Sequence, residues 1–175
     1  IERSAGILCE CDLASEFRYR HPVVRENDLC VVISQSGETA DTLAALREAK
    51  SRGAHTVSIV NVVESTIARE SDDVIYTVAG PEIAVATTKA FSAQLAAVYL
   101  LALRLSSAVG RIDEKEEKRH CDALLRLPEQ IEQVLENEEL FKPVAERFSK
   151  ASSIFFIGRG LDYSISLEGS LKLKE

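Results

Sequence analysis

Tryptophan and methionine are absent from this chain of 175 residues, and aromatic residues make up only 6% of it. Any core must therefore be aliphatic, and the 46% hydrophobic content is enough to build one. Basic residues are in deficit, 21 against 28 acidic, for a net charge of −7. That balance argues against a nucleic-acid partner or an anionic membrane surface, since both rest on clustered lysine and arginine. A small anion is still allowed, because backbone amides at a helix start hold a phosphate without a basic patch. No cysteine framework exists: Cys9 and Cys11 stand two apart rather than as C-x-x-C, and Cys30 and Cys121 are isolated. The four read as reduced thiols of a cytoplasmic protein. His21, His55 and His120 have no neighbour at metal-ligand spacing, so no metal site is expected. No basic stretch followed by an apolar core marks a signal peptide. The longest uncharged apolar run, 90–103, is 14 residues between Lys89 and Arg104, short of the roughly 20 that span a bilayer. It reads as a buried helix.

What is present is an alternation. Three β-branched apolar runs, 29–34 (LCVVIS), 55–60 (HTVSIV) and 73–78 (DVIYTV), are separated by helical or loop segments. The first spacer, 39–53, has leucines at helical spacing and ends on Gly53, a helix C-terminal signal; 64–71 suits a short helix. Strands alternating with helices predict an α/β fold, a three-layer αβα sandwich around a mainly parallel sheet of the flavodoxin or Rossmann kind. The segment 7–13 (ILCECDL) is a candidate edge strand. An apolar helix is predicted over 87–106, apolar all round and so buried on more than one side. Asp113 caps a charged helix, Pro128 starts another, and 137–151 suggests a third. A new strand at 153–158 (SIFFIG) and a final helical pattern follow, which places a domain boundary near 150. The reading is one domain over 1–110, a helical connector over 111–151 and the first strand and helix of a second domain over 152–175. Because the chain starts on Ile1 and stops on Glu175 inside apparent elements, it reads as a fragment.

Three constellations carry chemistry. In a parallel sheet, ligands bind beyond the carboxyl ends of strands. There stands Ser34-Gln35-Ser36-Gly37-Glu38-Thr39, where a strand turns into a helix. Ser34, Ser36 and Thr39 offer hydroxyls, Gln35 an amide, and Gly37 permits close backbone approach. With the helix-start amides these suffice for a phosphate dianion. Simple helix capping by Ser36 or Thr39 explains the same residues, and spacing alone leaves both readings open. The loop is neither G-x-x-x-x-G-K-[ST] nor G-x-G-x-x-G. The second constellation, 80–89, follows the third strand; either Thr87 and Thr88 are caps, or the backbone around Val85 closes over a ligand. The third is Glu168, Lys172 and Glu175, which spacing of four and three puts on one helical face. It is either an exposed pair worth about 0.3–0.5 kcal/mol or a carboxylate that moves a proton beside a lysine.

ASEFRYR (14–20), SQSGETADTL (34–43), EIAVATTKAF (82–91) and GRG…LEGSLKLKE (158–175) together resemble the isomerase half of the glutamine–fructose-6-phosphate aminotransferase family. That half is built from two SIS (sugar isomerase) domains, and the likeness runs in order along almost the whole chain, with 111–152 generic. It implies a SIS fold and a site for fructose 6-phosphate and glucosamine 6-phosphate in hexosamine synthesis. Ser34, Gln35, Ser36, Gly37 and Thr39 would then hold the sugar phosphate, and Val85 would line the pocket through its backbone. Glu175 would be the base that carries a proton between C1 and C2, with Lys172 and Glu168 assisting. A glutaminase domain and a second copy of the chain are the implied partners; no cofactor, nucleic acid or membrane is implied.

The departures bear on activity. The family's Cys-Gly-Thr-Ser turn has no counterpart here. Neither do the glutaminase domain, the ring-opening histidine beyond the last glutamate, or the carboxy-terminal tail with its lysine. The expectation is that this piece alone neither hydrolyses glutamine nor makes glucosamine 6-phosphate. Two rivals stand beside this reading: another SIS-domain phosphosugar isomerase or deaminase, and a non-catalytic phosphosugar-sensing module.

Overall fold

The computed structural model of the chain describes residues 1–84 and 87–174. Two compact units divide it: Ile1–Ile83 with Thr87–Glu117, and the stretch from Lys118 on.

The first unit is an α/β domain around a parallel sheet of three strands, β1 (Leu29–Ser34), β2 (His55–Val60) and β3 (Asp73–Tyr76), in the order β1-β2-β3. Leu29 pairs with His55 through to Ser34 with Val60, and Val57 with Asp73 through to Val60 with Tyr76. β3 thus ends two residues short of the run in the sequence. Each crossover contains a helix: α3 (Ala40–Ser51) joins β1 to β2 and α4 (Thr66–Glu70) joins β2 to β3. Gly53, at φ +89°, ends α3 where expected. Its amide reaches Lys50 O, and that of Ala54 reaches Ala49 O, so two terminal carbonyls are satisfied in a Schellman arrangement. Side chains alternate along a strand, so Cys30, Val32 and Ser34 share a sheet face with Thr56, Ser58, Val60 and Val74. That face packs against the crossovers: Val32, Val60, Leu46, Ile67 and Ala68 form the buried cluster, with Cys30, Leu43 and Val74 at its margin. Burial pushes the Cys30 thiol pKa up, as an apolar setting does.

On the other face, Ile59 is also fully buried. Here lies α5 (Lys89–Ala108), which packs against β2 and α1 (Glu2–Ala5). The third layer is therefore present, but α5 is not buried all round. Ala90 and Ala97, on one side, and Ser106 near its end are buried, whereas Leu95, Tyr99 and Leu100 are exposed. By length and composition α5 could cross a membrane. Its small-residue side nonetheless packs onto this domain.

The candidate strand at 7–13 is not formed. The segment is irregular and mostly exposed, with Leu8 at 81%. Glu10 and Asp12 are drawn into ion pairs with Arg20, beyond α2 (Ala14–Tyr19), rather than into a ladder. Charges turned toward a partner strand would have to be desolvated.

In the region 114–174 the charged helix is α6 (Glu114–Leu125), and Asp113 caps it by accepting a hydrogen bond from Glu116 N at 2.8 Å. α7 (Leu127–Leu135) starts one residue before the predicted Pro128, which sits in its first turn. The third connector helix is shorter than 137–151: a 3₁₀ turn at Glu138–Leu140 precedes α8 (Lys142–Phe148), with Pro143 in its first turn. The predicted strand at 153–158 is also unformed, since a strand exists only through its ladder and 118–174 contains no other strand. α9 (Leu161–Lys174) follows.

Candidate functional site

The carboxyl edge of the sheet in the first unit is where three loops converge. The apolar alternation of β1 places Ser34 on the covered face, 6% exposed. Its Oγ accepts a hydrogen bond from Gly37 N at 3.1 Å and lies 3.0 Å from Thr39 Oγ1. Only one of the two hydroxyl protons can lie between those oxygens, so the Ser34–Thr39 pair keeps one proton for a further acceptor. Ser36 Oγ accepts from Glu38 N at 3.2 Å, which tightens the turn. Gly37 adopts φ +66°, and a Cβ there would stand 2.0 Å from Ser65 Oγ and 2.5 Å from Ser65 Cβ. Only glycine fits.

Thr39 takes the N-cap position of α3, and no side chain caps that helix. Among the described residues its first-turn amides thus receive no side-chain cap at the positive end of the dipole. Asp41, in that turn, pairs with Arg18 of α2 at 2.9 Å. This ion pair ties the ASEFRYR segment to the start of the helix.

The turn is stitched to the segment after β2. Asn61 N donates to Gln35 O at 3.1 Å and Ile67 N to Gly37 O at 3.0 Å. Thr66 N donates to Glu38 Oε1 at 2.7 Å. That amide holds the Glu38 carboxyl below its ordinary range, with the Arg69 charge adding to the effect. Asn61 also ties down the loop after β3: its Oδ1 accepts from Ala79 N at 2.8 Å and Thr77 Oγ1 at 3.1 Å, and its Nδ2 donates to Gly80 O at 2.7 Å. The sequence does not single out Glu38, Asn61 or Ser65. Glu38 and Thr66 are 28 positions apart, and no local pattern links them.

Val85 lies outside the described residues. Nearby, Thr88 occupies the N-cap position of α5 without a side-chain cap hydrogen bond, while its amide donates to Glu82 Oε2 at 3.1 Å.

In the second unit, Glu168 and Lys172 do share one side of α9, with Nζ 2.8 Å from Oε1 and side chains 22% and 29% exposed. The pair is thus half-sheltered rather than fully solvated. Two glycines set the helix in place. A Cβ on Gly158 would lie 2.4 Å from the Asp162 backbone, and one on Gly169 would lie 2.9 Å from the Phe156 ring. The chain before α9 therefore folds back along it. Glu175 lies outside the described residues.

Among the described residues no group of three histidine, cysteine or carboxylate side chains has the arrangement to hold a metal. His55 Nε2 instead lies 2.7 Å from Asp73 Oδ2 at the start of the sheet, opposite the loops.

Residues 1–104 match the SIS domain family. Over all 175 residues the chain is 57% identical to a glutamine–fructose-6-phosphate aminotransferase (isomerizing) of Symbiobacterium thermophilum and 52% identical to that of Clostridium tetani. It spans 29% of the length of each of these curated relatives. The C-terminal domain of glucosamine-fructose-6-phosphate aminotransferase from Francisella tularensis superposes with a TM-score of 0.96 at 39% identity, over 99% of this chain and 49% of that one.

Proposed function

The chain belongs to the SIS domain family, and on that premise we propose that it carries sugar-phosphate-binding and proton-transfer residues of an isomerising glutamine–fructose-6-phosphate aminotransferase. The observation that carries this reading is the identity over its full length to enzymes of that name. In this reading 1–110 is the first SIS domain, 111–151 a connector, and 152–175 the opening of a second.

Ser34, Gln35, Ser36, Gly37 and Thr39 hold the phosphate of fructose 6-phosphate and of the product, glucosamine 6-phosphate, and Val85 lines the pocket. The geometry supports the phosphate role: hydroxyls, a left-handed glycine and an uncapped helix start converge at one sheet edge. Such a cradle draws on amides and hydroxyls, which suits a chain of net charge −7. Moving a hydrogen from C1 to C2 next to a carbonyl group needs a base to take the proton from one carbon and return it to the next. Glu175 is proposed for that step. Lys172, held by Glu168, supplies positive charge for the oxyanion that forms meanwhile. Neither role calls for a metal or an organic cofactor.

The amino group comes from glutamine through a glutaminase domain. The enzyme acts in the cytoplasm as a homodimer, and the exposed apolar side of α5 supports such an assembly.

Titration of the chain with glucosamine 6-phosphate, followed by calorimetry or amide chemical shifts, tests the binding role. Saturable binding is expected, with Ser36→Ala and Thr39→Ala each weakening it about tenfold, as loss of a hydrogen bond to a charged group does. Equal binding of unphosphorylated glucosamine, or no saturable binding at all, rejects it.

A further inference from the structure

A phosphate-binding turn with a glutamate in it poses an electrostatic problem. Glu38 adjoins Gly37 and Thr39, and a carboxylate that close to a dianion repels it by an amount comparable with a weak hydrogen bond. The structure shows where that charge is directed. Glu38 Oε1 accepts from Thr66 N at 2.7 Å, across the gap between the turn after β1 and the segment after β2. The adjoining carbonyl of Gly37 accepts from the next available amide, Ile67 N, at 3.0 Å. These two bonds to consecutive amides clamp the turn onto the first residues of α4. In the same segment Ser65 blocks any side chain on Gly37: it is 3% exposed, and among the described residues its Oγ has no hydrogen-bond partner. The turn is thus held against residues 65–67, with Ser34 buried behind it and Thr39 exposed at the start of α3.

We propose that Glu38 is a positioning residue for the anion-binding turn: through Thr66 N it fixes the turn in the form that presents Ser34, Ser36 and Thr39 to a phosphate. It does not itself touch the ligand. What the turn requires of Glu38 is an acceptor oxygen at the right reach, and its negative charge is a cost to anion binding that the Thr66 amide and Arg69 offset.

This inference rests on the proposed phosphate role of the turn, and it opposes simple electrostatics. If Glu38 were only a nearby charge, its removal would strengthen anion binding. If it positions the turn, truncation weakens binding although a repelling charge has gone. Glu38→Gln separates the two effects, because an amide oxygen still accepts from Thr66 N while the charge is absent.

The 175-residue chain, E38A and E38Q are titrated with inorganic phosphate and with glucosamine 6-phosphate at fixed ionic strength. Amide hydrogen exchange at 36–39 and the denaturation midpoint are measured on the same samples. Expected are binding by E38A about three- to tenfold weaker, the factor of one ordinary hydrogen bond, and binding by E38Q equal to or tighter than that of the original chain. Exchange at 36–39 should be faster in E38A alone, and by more than any change in global stability accounts for. E38A that binds as tightly as the original chain, or E38Q that falls with E38A, overturns the proposal. Should the unaltered chain bind neither ligand, the phosphate role fails. The positioning role is then judged by exchange alone: acceleration confined to E38A upholds it, and unchanged exchange overturns it.

Discussion

Gly37 shows how much one residue can carry. Its φ of +66° costs an L-residue about 1–2 kcal/mol, and Ser65 Oγ and Cβ occupy the space a side chain would need. Gly37→Ala should therefore destabilise the chain by roughly 2–4 kcal/mol, strain and overpacking together, as read from chemical denaturation. Ser65→Gly in that background removes both close contacts but not the φ strain, so about half the loss should return. Ser65→Ala should restore little, because its Cβ still stands in the way. Full recovery with Ser65→Ala would mean that the hydroxyl alone made the clash. The hydroxyls and the glycine of this turn are legible in the sequence, since their chemistry belongs to the residues themselves. The jobs of Ser65, Asn61 and Glu38 are not, because each is defined by a partner brought near only by the crossovers.

Elements are joined at the amino end of the sheet by Asp72. Its Oδ2 accepts from Thr56 N at 2.9 Å and Thr56 Oγ1 at 2.6 Å, and Lys50 Nζ lies 2.7 Å from Oδ1, so α3, β2 and the entry to β3 meet on one carboxylate. The Lys50 ammonium and the two Thr56 donors hold its pKa far below the usual carboxylate range. A folded-state value depressed below the unfolded one gives stability that is complete above the unfolded value, about 3.9, and is lost as pH falls toward the folded value. Asp72→Asn should unfold at lower denaturant than the original chain at pH 7. The gap should stay constant down to about pH 5 and close as pH falls below about 4. A gap that persisted undiminished at pH 2 would show that the ionised form is not what holds the junction. The three strands and two crossover helices are legible in the sequence because β-branched runs and a helix-stop glycine are local signals. The two strands that did not form, 7–13 and 153–158, have equally good local patterns. What they lack is an adjacent ladder, and sequence periodicity does not report that.

At the scale of the whole molecule, α5 poses the outstanding question, since it covers one face of the sheet with small residues while Leu95, Tyr99 and Leu100 are at least 39% exposed. If the proposed homodimer uses this side, light scattering should give twice the chain mass. Tyr99→Glu combined with Leu100→Lys should then give the monomer mass without lowering the denaturation midpoint measured in dilute solution. An unchanged dimer after both substitutions would place the interface elsewhere. The amino-acid sequence by itself determined the fold class, the strand order of appearance, the polar turn at the end of β1 and the pairing of Glu168 with Lys172. All of these follow from contacts within a few residues or from a periodicity. The tertiary structure alone decided which apolar runs become strands and which side of α5 is covered. It also decided that the glutamate in the turn after β1 spends its charge on an amide 28 residues away. Those outcomes depend on which surfaces meet, and that is a property of the packed chain rather than of any stretch of it.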